Sequence, residues 1–598
     1  MTSHFAQTHL PEWRLDDLYA GRDDPRIEAD IEAARAANAE LTALKGQFLA
    51  QANDARRLGE LLDRGITLYE QATNGLWAVG AYASLATSTA REDANWARFE
   101  ADLRARSAQI GAESLFFALE LNQLSDVQIT QAYQAHPPAA RWQPWMRRVR
   151  ASRPHELTPD LEHLLIDRGP AVASWSRLHD ETLARLRVKV GNRSLTLSEA
   201  LNGLSDPDAS KRARAAKGLA TALEAETPVL ALVLNTLAFE KLVEDRWRHY
   251  PGPAASRHLA NEVDADAVEA LEAAVVDAYP KVSHRYYQLK ARHLGLEALD
   301  YWDRNAPLET AKPRLYDWDQ ARSLVLSSFS ALSPRFSETA QTFFTQPWID
   351  ARPRAGKQSG AYSHPVTAPH HPYVFMNYMG ERRDVLTLAH ELGHAVHQTL
   401  CSPLGTLLAD TPLTLAETAS IFGEGLVFEQ LLAAAPTSER LGLLAGQIED
   451  GLNTVVRQIA FHRFETRFHL ARQQGELSAE AIGGLWLEVM GESLGPAVRL
   501  NAGYESYWAY VSHFIHSPFY VYAYAFGDLL VRGLMEKRRE DPVGFAPLYE
   551  AMLSAGGTRT YVEALAPFGL NPREKAFWAA GMGQLERLVD AFEALIST

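Results

Sequence analysis

The chain has 598 residues, a net charge of −15 and a single cysteine, with 46% apolar and 22% charged residues. At about 100–200 residues per domain this length calls for more than one core, and the composition is that of an ordinary globular protein. The acidic balance argues against a nucleic-acid partner, whose phosphates need Lys and Arg, and Cys401 alone can form no intramolecular disulfide.

The opening residues, MTSHFAQTHLPEWRLDDLY, place no basic segment ahead of an apolar core and do not read as a secretory signal. From Arg26 to Leu119, Ala, Leu, Glu and Arg recur at three- and four-residue spacing, which predicts amphipathic helices. The basic stretch Arg141–Arg153 contains two Trp and reads as a solvated helix with buried indoles rather than a nucleic-acid stripe. Residues Leu186–Leu197 alternate on both sides of Gly191-Asn192, a hairpin signal. A domain boundary is placed there, giving an N-terminal helical domain over 1–195 and a second domain over 196–598. The most apolar run, Pro228–Val243, contains Asn235, Glu240 and Lys241, so it reads as a buried helix and not as a membrane span. No membrane partner is expected, and the cytoplasm is the expected compartment. No fixed-period repeat is present, which argues against a helical solenoid.

The helical pattern breaks again at Lys357–Gly380. There Tyr373–Tyr378 reads as a short strand bounded by Pro372 and Gly380. An exposed strand edge at this place would pair with an extended peptide main chain; an ordinary core strand is the other reading. His370 and His371 lie just before it, and a loop position without a role is the plainer reading for both. Residues Arg382–Leu400 then read as a helix, with Leu388, Leu392 and Val396 on one buried stripe and His390, His394 and His397 on the next. A second helix is predicted over Leu413–Leu432, with Thr411 as its cap and Pro412 at its first position.

Residues 390–394 read HELGH. Two His four apart project from one helix face, so their imidazoles can converge on one ion. Glu391 lies about 100° around the helix, where it can reach a water on that ion but not join the same ligand set. This is the pattern of a zinc site with a general base. A third protein donor is required. The three-His solution fails, because Leu400 and His397 stand where it needs His and Gly. A carboxylate from the following helix is the other solution, with Glu417, Asp410 and Glu424 as candidates. Glu424 lies seven residues beyond Glu417, on the same face, and would accept a hydrogen bond from a ligand imidazole.

The segments SGAYSHP, PYVFMNY, DVLTLAHELGHAVHQ and LAETASIFGE, with EWRLDDLY near the start and FWAAGMGQLERLVDAFEAL near the end, resemble the oligoendopeptidase F group of the M3 metallopeptidases, which are thimet oligopeptidase-like. The resemblance runs over nearly the whole chain. It implies a mainly α zincin-type fold, with two helical lobes enclosing a deep substrate channel and a small β-sheet near the active site. It implies an oligopeptidase F type N-terminal domain over 1–195 and an M3-type catalytic domain over 196–598. It implies one zinc ion per chain held by His390, His394 and Glu417, with Glu391 as the base, and cleavage of short unstructured oligopeptides. It also points to a His and Tyr cluster near the C-terminus as oxyanion donors: His513, Tyr524, Tyr520 and Tyr522, with His516 as an alternative to His513. Two other readings stand beside this one. One is a dipeptidyl carboxypeptidase-like exopeptidase with a clamp such as Arg499 for a free terminus. The other is a helical peptide-binding protein with a dead metal site.

Overall fold

The computed structural model describes residues 10–308 and 314–597. The first nine residues, part of the N-terminal segment read above, lie outside them. The described chain is mainly helical with small sheets, as expected. It forms two compact units. The first comprises Met1–Arg153, Pro313–Leu431 and Arg538–Gly569; the second comprises Pro154–Lys312, Leu432–Lys537 and Leu570–Thr598.

In the first unit, the helices Pro25–Thr42 and Ala55–Thr89 pack together. Each begins at an Asp whose carboxylate accepts a backbone N–H, Asp24 from Arg26 at 2.9 Å and Asp54 from Arg57 at 3.0 Å. Phe48, Leu62, Phe117, Trp142 and Trp145 fill one core. Burying side chains of this size contributes about 1.5–3 kcal/mol each. The basic stretch is thus internal in use: both Trp are buried, and Trp142 Nε1 donates to Asp63 at 2.9 Å. Arg150 Nη2 donates to the Leu124 carbonyl and to Asp126, both at 2.8 Å.

A three-stranded sheet lies in the same unit, in the order Ile349–Asp350, Tyr373–Phe375, Tyr362–His364. The first pair is parallel and the second antiparallel, with Ser363 opposite Val374. Of the two readings of Tyr373–Tyr378, an exposed edge or an ordinary core strand, this rules out the first and bears out the second. Tyr373–Phe375 is the central strand and fully buried, as three consecutive apolar residues with no polar alternation require. The outer position belongs to Tyr362–His364.

The second unit contains the predicted hairpin, Val188–Val190 against Arg193–Leu195, with Gly191 at φ 60° in its two-residue turn. Its longest helix, Ala209–Trp247, is the one helix among the described residues long and apolar enough to cross a membrane by composition. Leu230, Val233 and Leu234 on it are buried in the unit, and Asn235 bonds Leu477 in both directions, at 2.9 and 3.0 Å. Arg499, considered above as a clamp for a peptide terminus, donates to Asp300 at 2.9 Å on the neighbouring strand. In the first unit, His370 bonds Thr367 of its own loop at 2.8 Å, and His371 contacts Asp17 of the N-terminal segment.

Candidate metal centre and aromatic cluster

The helix Arg382–Cys401 starts at Glu381, where Asp384 accepts the Met379 and Glu381 amides at 2.8 and 2.9 Å. Leu388, Leu392 and Val396 are buried, as their spacing predicts. His397 is buried too, and burial drives its pKa down to about 4, so it packs as a neutral ring away from the other two histidines.

The following segment departs from the predicted single helix. Leu413–Ala416 forms one turn, and Thr418–Ala434 is a separate helix, with Glu417 at the break between them (φ −83°, ψ 0°). Thr411 does not cap the turn: Pro412 takes that place, and the Thr411 hydroxyl bonds back to the Ala409 carbonyl at 3.1 Å. Ser420 stabilises the break, since its hydroxyl lies 3.0 Å from the Glu417 carbonyl and 2.7 Å from Oε2 of the same residue.

Two glycines let this segment approach the HELGH helix. A Cβ on Gly393 would lie 2.4 Å from the Ala419 carbonyl oxygen and 2.7 Å from Ser420 Cα. A Cβ on Gly423 would lie 3.1 Å from the Ala389 carbonyl oxygen and 3.0 Å from Phe329. At Gly393 the backbones therefore cross at a separation that no Cβ permits without a shift, and at Gly423 the contact is tight.

At this crossing, Glu417 Oε2 lies 3.4 Å from His390 Nε2 and 3.3 Å from His394 Nε2. Two donors about 2.0–2.1 Å from a shared tetrahedral ion stand about 3.3 Å apart. The separations thus match a single metal ion of the zinc class. Glu424 Oε2 lies 3.4 Å from the opposite ring nitrogen, His390 Nδ1, as the seven-residue spacing predicts. Burial opposes charge on His390, but Glu417 and Glu424 overcome it and raise its pKa to about 10. Burial likewise opposes charge on Glu417, and the two imidazoles hold its carboxyl far below the usual range. Asp410, the other candidate donor, lies outside the group, with an exposed side chain 3.6 Å from Arg148.

Glu391 projects beside this group and is buried. Burial raises its pKa above the ordinary carboxylate value, against the pull of His390, His394 and a Ser363 backbone hydrogen bond. Ser363 belongs to the outer strand Tyr362–His364, and its hydroxyl also donates to Gln398 on the HELGH helix at 2.8 Å.

The C-terminal candidates lie in the second unit. His513 begins the short helix His513–His516, and Tyr522 begins the helix Tyr522–Glu540. His513 Nε2 lies 3.1 Å from the Tyr524 hydroxyl, and the Tyr520 and Tyr524 rings are 5.5 Å apart. Burial lowers the His513 pKa, with Arg457 adding to it. Tyr522 faces the other way. It is fully buried, and its hydroxyl lies 2.9 Å from Asn261 Nδ2 and 3.0 Å from His258 Nδ1. The structure therefore brings His513, Tyr520 and Tyr524 together and leaves Tyr522 in the core.

The segment between the two helices turns at Phe519, a non-glycine residue at φ 60°. Its amide donates to Glu465 Oε1 at 2.8 Å. Sequence reasoning missed Glu465. The available signal was a carboxylate at the same helical spacing as the buried His462 and His469.

A mainly helical chain with HELGH on one helix and a carboxylate at the start of the next defines a class, the helical metallopeptidases. The family model described as Peptidase family M3 matches residues 203–584, and one described as Oligopeptidase F matches residues 120–187. The chain belongs to peptidase family M3 and is a metalloendopeptidase of its oligoendopeptidase F group. It is 25% identical to the Group B oligopeptidase PepB of Streptococcus agalactiae over 90% of this chain and 92% of that one. It is 21% identical to the oligopeptidase PepF of Bacillus subtilis, over 98% of this chain and 87% of that one. The crystal structure of oligoendopeptidase-F from Enterococcus faecium superposes with a TM-score of 0.67 at 21% identity, covering 94% of this chain and 98% of that one. A crystallised protein from Chlamydophila abortus superposes with a TM-score of 0.86 at 21% identity, covering 99% of each chain.

Proposed function

We propose that the protein is a zinc-dependent endopeptidase of short unstructured oligopeptides. The observation that carries this reading is the single carboxylate oxygen, Glu417 Oε2, standing 3.4 and 3.3 Å from the two HELGH imidazoles. His390, His394 and Glu417 would hold one zinc ion, with Glu424 fixing the His390 ring from behind. Zinc bound there would supply Lewis acidity for activating water and the scissile carbonyl.

Glu391 accepts the proton of the attacking water on its carboxylate and returns it to the leaving amine nitrogen. The hydroxyl of Tyr524 and the imidazole of His513, with Tyr520 beside them, are donors for the developing oxyanion. Tyr522 positions that segment from the core. The outer strand Tyr362–His364 offers main-chain groups to an extended peptide, next to the base.

The division at residue 195 belongs to the same reading: an oligopeptidase F type N-terminal domain over 1–195 and an M3-type catalytic domain over 196–598. The two family matches fall on either side of it. The cytoplasm is the proposed compartment, since a chain with only Cys401 draws no benefit from an oxidising one.

The test is hydrolysis of a quenched fluorescent peptide blocked at both ends, with metal content measured on the same samples. The expected result is internal cleavage that chelation abolishes and Zn2+ restores. Cleavage that survives complete metal removal overturns the reading, and release of terminal dipeptides only from unblocked peptides replaces it with the exopeptidase.

A further inference from the structure

Among the described residues, one other group of His and carboxylate side chains converges as the HELGH site does: His179, Asp180 and His516. His179 and Asp180 lie near the end of the helix Pro159–Arg185, and His516 ends the helix His513–His516. One oxygen, Asp180 Oδ1, stands 3.2 Å from His179 Nδ1 and 2.8 Å from His516 Nε2. This is the arrangement of Glu417 Oε2 between His390 and His394.

The tautomer of His179 sharpens the point. Its side chain is 2% exposed, and its Nε2 lies 3.1 Å from the Ala509 carbonyl oxygen, which can only accept. Nε2 therefore carries the proton, and Nδ1 presents a lone pair to Asp180. Two acceptors face each other, so a proton or a cation must bridge them. A proton serves that one contact. A divalent cation serves His179, Asp180 and His516 at once. The His179–Asp180 separation is close to the spacing of about 3.3 Å between donors on a tetrahedral ion, and the His516–Asp180 separation is shorter than that. The shorter one must open by about half an ångström to admit an ion, and His516 is 41% exposed. The exposed sides of Asp180 and His516 leave a path for the ion and a position for water.

We infer that His179 Nδ1, Asp180 Oδ1 and His516 Nε2 form a second divalent-cation site, distinct from the HELGH centre. Two imidazoles and one carboxylate suit Zn2+ and its transition-metal neighbours, and not Mg2+ or Ca2+, which take oxygen donors. The ion ties the end of the helix Pro159–Arg185 to the short helix that carries His513. It thereby anchors the segment leading into the aromatic cluster.

The experiment uses the full chain carrying His390→Ala and Glu417→Ala, which removes the first site, so the outcome does not depend on the catalytic reading. The protein is stripped with chelator and titrated calorimetrically with Zn2+ alone, then with Mg2+ alone. The expected result is one equivalent of bound Zn2+, no heat with Mg2+, and at least about a tenfold loss of Zn2+ affinity on adding Asp180→Asn or His516→Gln. Both altered side chains are partly exposed, and circular dichroism checks that the fold is kept. In the otherwise unaltered chain, the same Asp180→Asn change takes reconstituted zinc from two equivalents to one. Absence of Zn2+ binding in the first-site variant, or an affinity unchanged by both Asp180→Asn and His516→Gln, overturns the site.

Discussion

The HELGH crossing and the His513–Tyr524 segment hold their side chains by opposite means. At the crossing, the imidazoles sit on the regular helix Arg382–Cys401, and Gly393 and Gly423 fix the distance to the next backbone. The aromatic segment hangs on irregular backbone: a four-residue helix, the left-handed Phe519 and the buried Glu465 that accepts the Phe519 amide. Regular geometry gives ligand atoms that agree with one ion to about a tenth of an ångström in their spacing. Irregular geometry gives a donor cluster whose position depends on one carboxylate far away in sequence. The first region fails through sterics, the second through electrostatics.

Glu391→Gln tests the first region most directly. It is expected to keep stoichiometric zinc and to lose turnover by about 10³-fold, since the amide cannot accept the proton of water. Metal analysis and kcat on one preparation check it, and activity near that of the unaltered enzyme removes Glu391 from the role of base.

Glu465 sets the largest expected effect in the second region. Burial raises its pKa from 4.5 to about 8. The folded state therefore keeps a proton that the unfolded state has released, so stability falls as pH rises through the window from 4.5 to 8. The loss from this group is at most about 5 kcal/mol. Urea unfolding at a series of pH values should show the decline in the unaltered chain and a flatter profile in Glu465→Gln. Identical profiles would break the link between this carboxylate and the segment.

Gly393→Ala separates steric from electrostatic failure. The added Cβ meets backbone atoms at 2.4 and 2.7 Å, so the crossing must widen. The expected cost is about 1–3 kcal/mol, read as a lower Tm together with weaker zinc binding. Gly446→Ala is the control, because a Cβ there meets nothing within 4 Å. Equal behaviour of the two variants would show that the crossing is not close-packed.

The smallest expected effect is that of Tyr524→Phe. Losing one oxyanion donor among several should lower kcat by about tenfold to a hundredfold while KM changes little. An unchanged kcat would reduce the cluster to packing.

The same contrast explains which features were legible in the sequence. The helix Arg382–Cys401 and its buried stripe follow from spacing alone, and so does the hairpin at Gly191. Glu424 was reached by counting seven residues from Glu417, and it does meet His390. The break at Glu417 was not legible, because apolar residues on both sides continue the helical pattern and nothing marks the rotated ψ. The central place of Tyr373–Phe375 was obscured because the partner strands, Ile349–Asp350 and Tyr362–His364, are too short to read as strands. Glu465 and the pairing of His179 with His516 depend on contacts between residues far apart in the chain, and no local pattern records them.

The break before the helix Thr418–Ala434 has a consequence for how this protein tolerates change. Since Glu417 is aimed by a discontinuity, the turn Leu413–Ala416 ahead of it is mechanically decoupled from the helix behind it. A residue inserted into that turn or its loop can be absorbed upstream without rotating the carboxylate. The same insertion between Glu417 and Gly423 would swing the carboxylate about 100° around the axis and carry a bulky residue into the narrowest contact. Length variation among descendants of this sequence should therefore accumulate on one side of Glu417 and stop abruptly at the other.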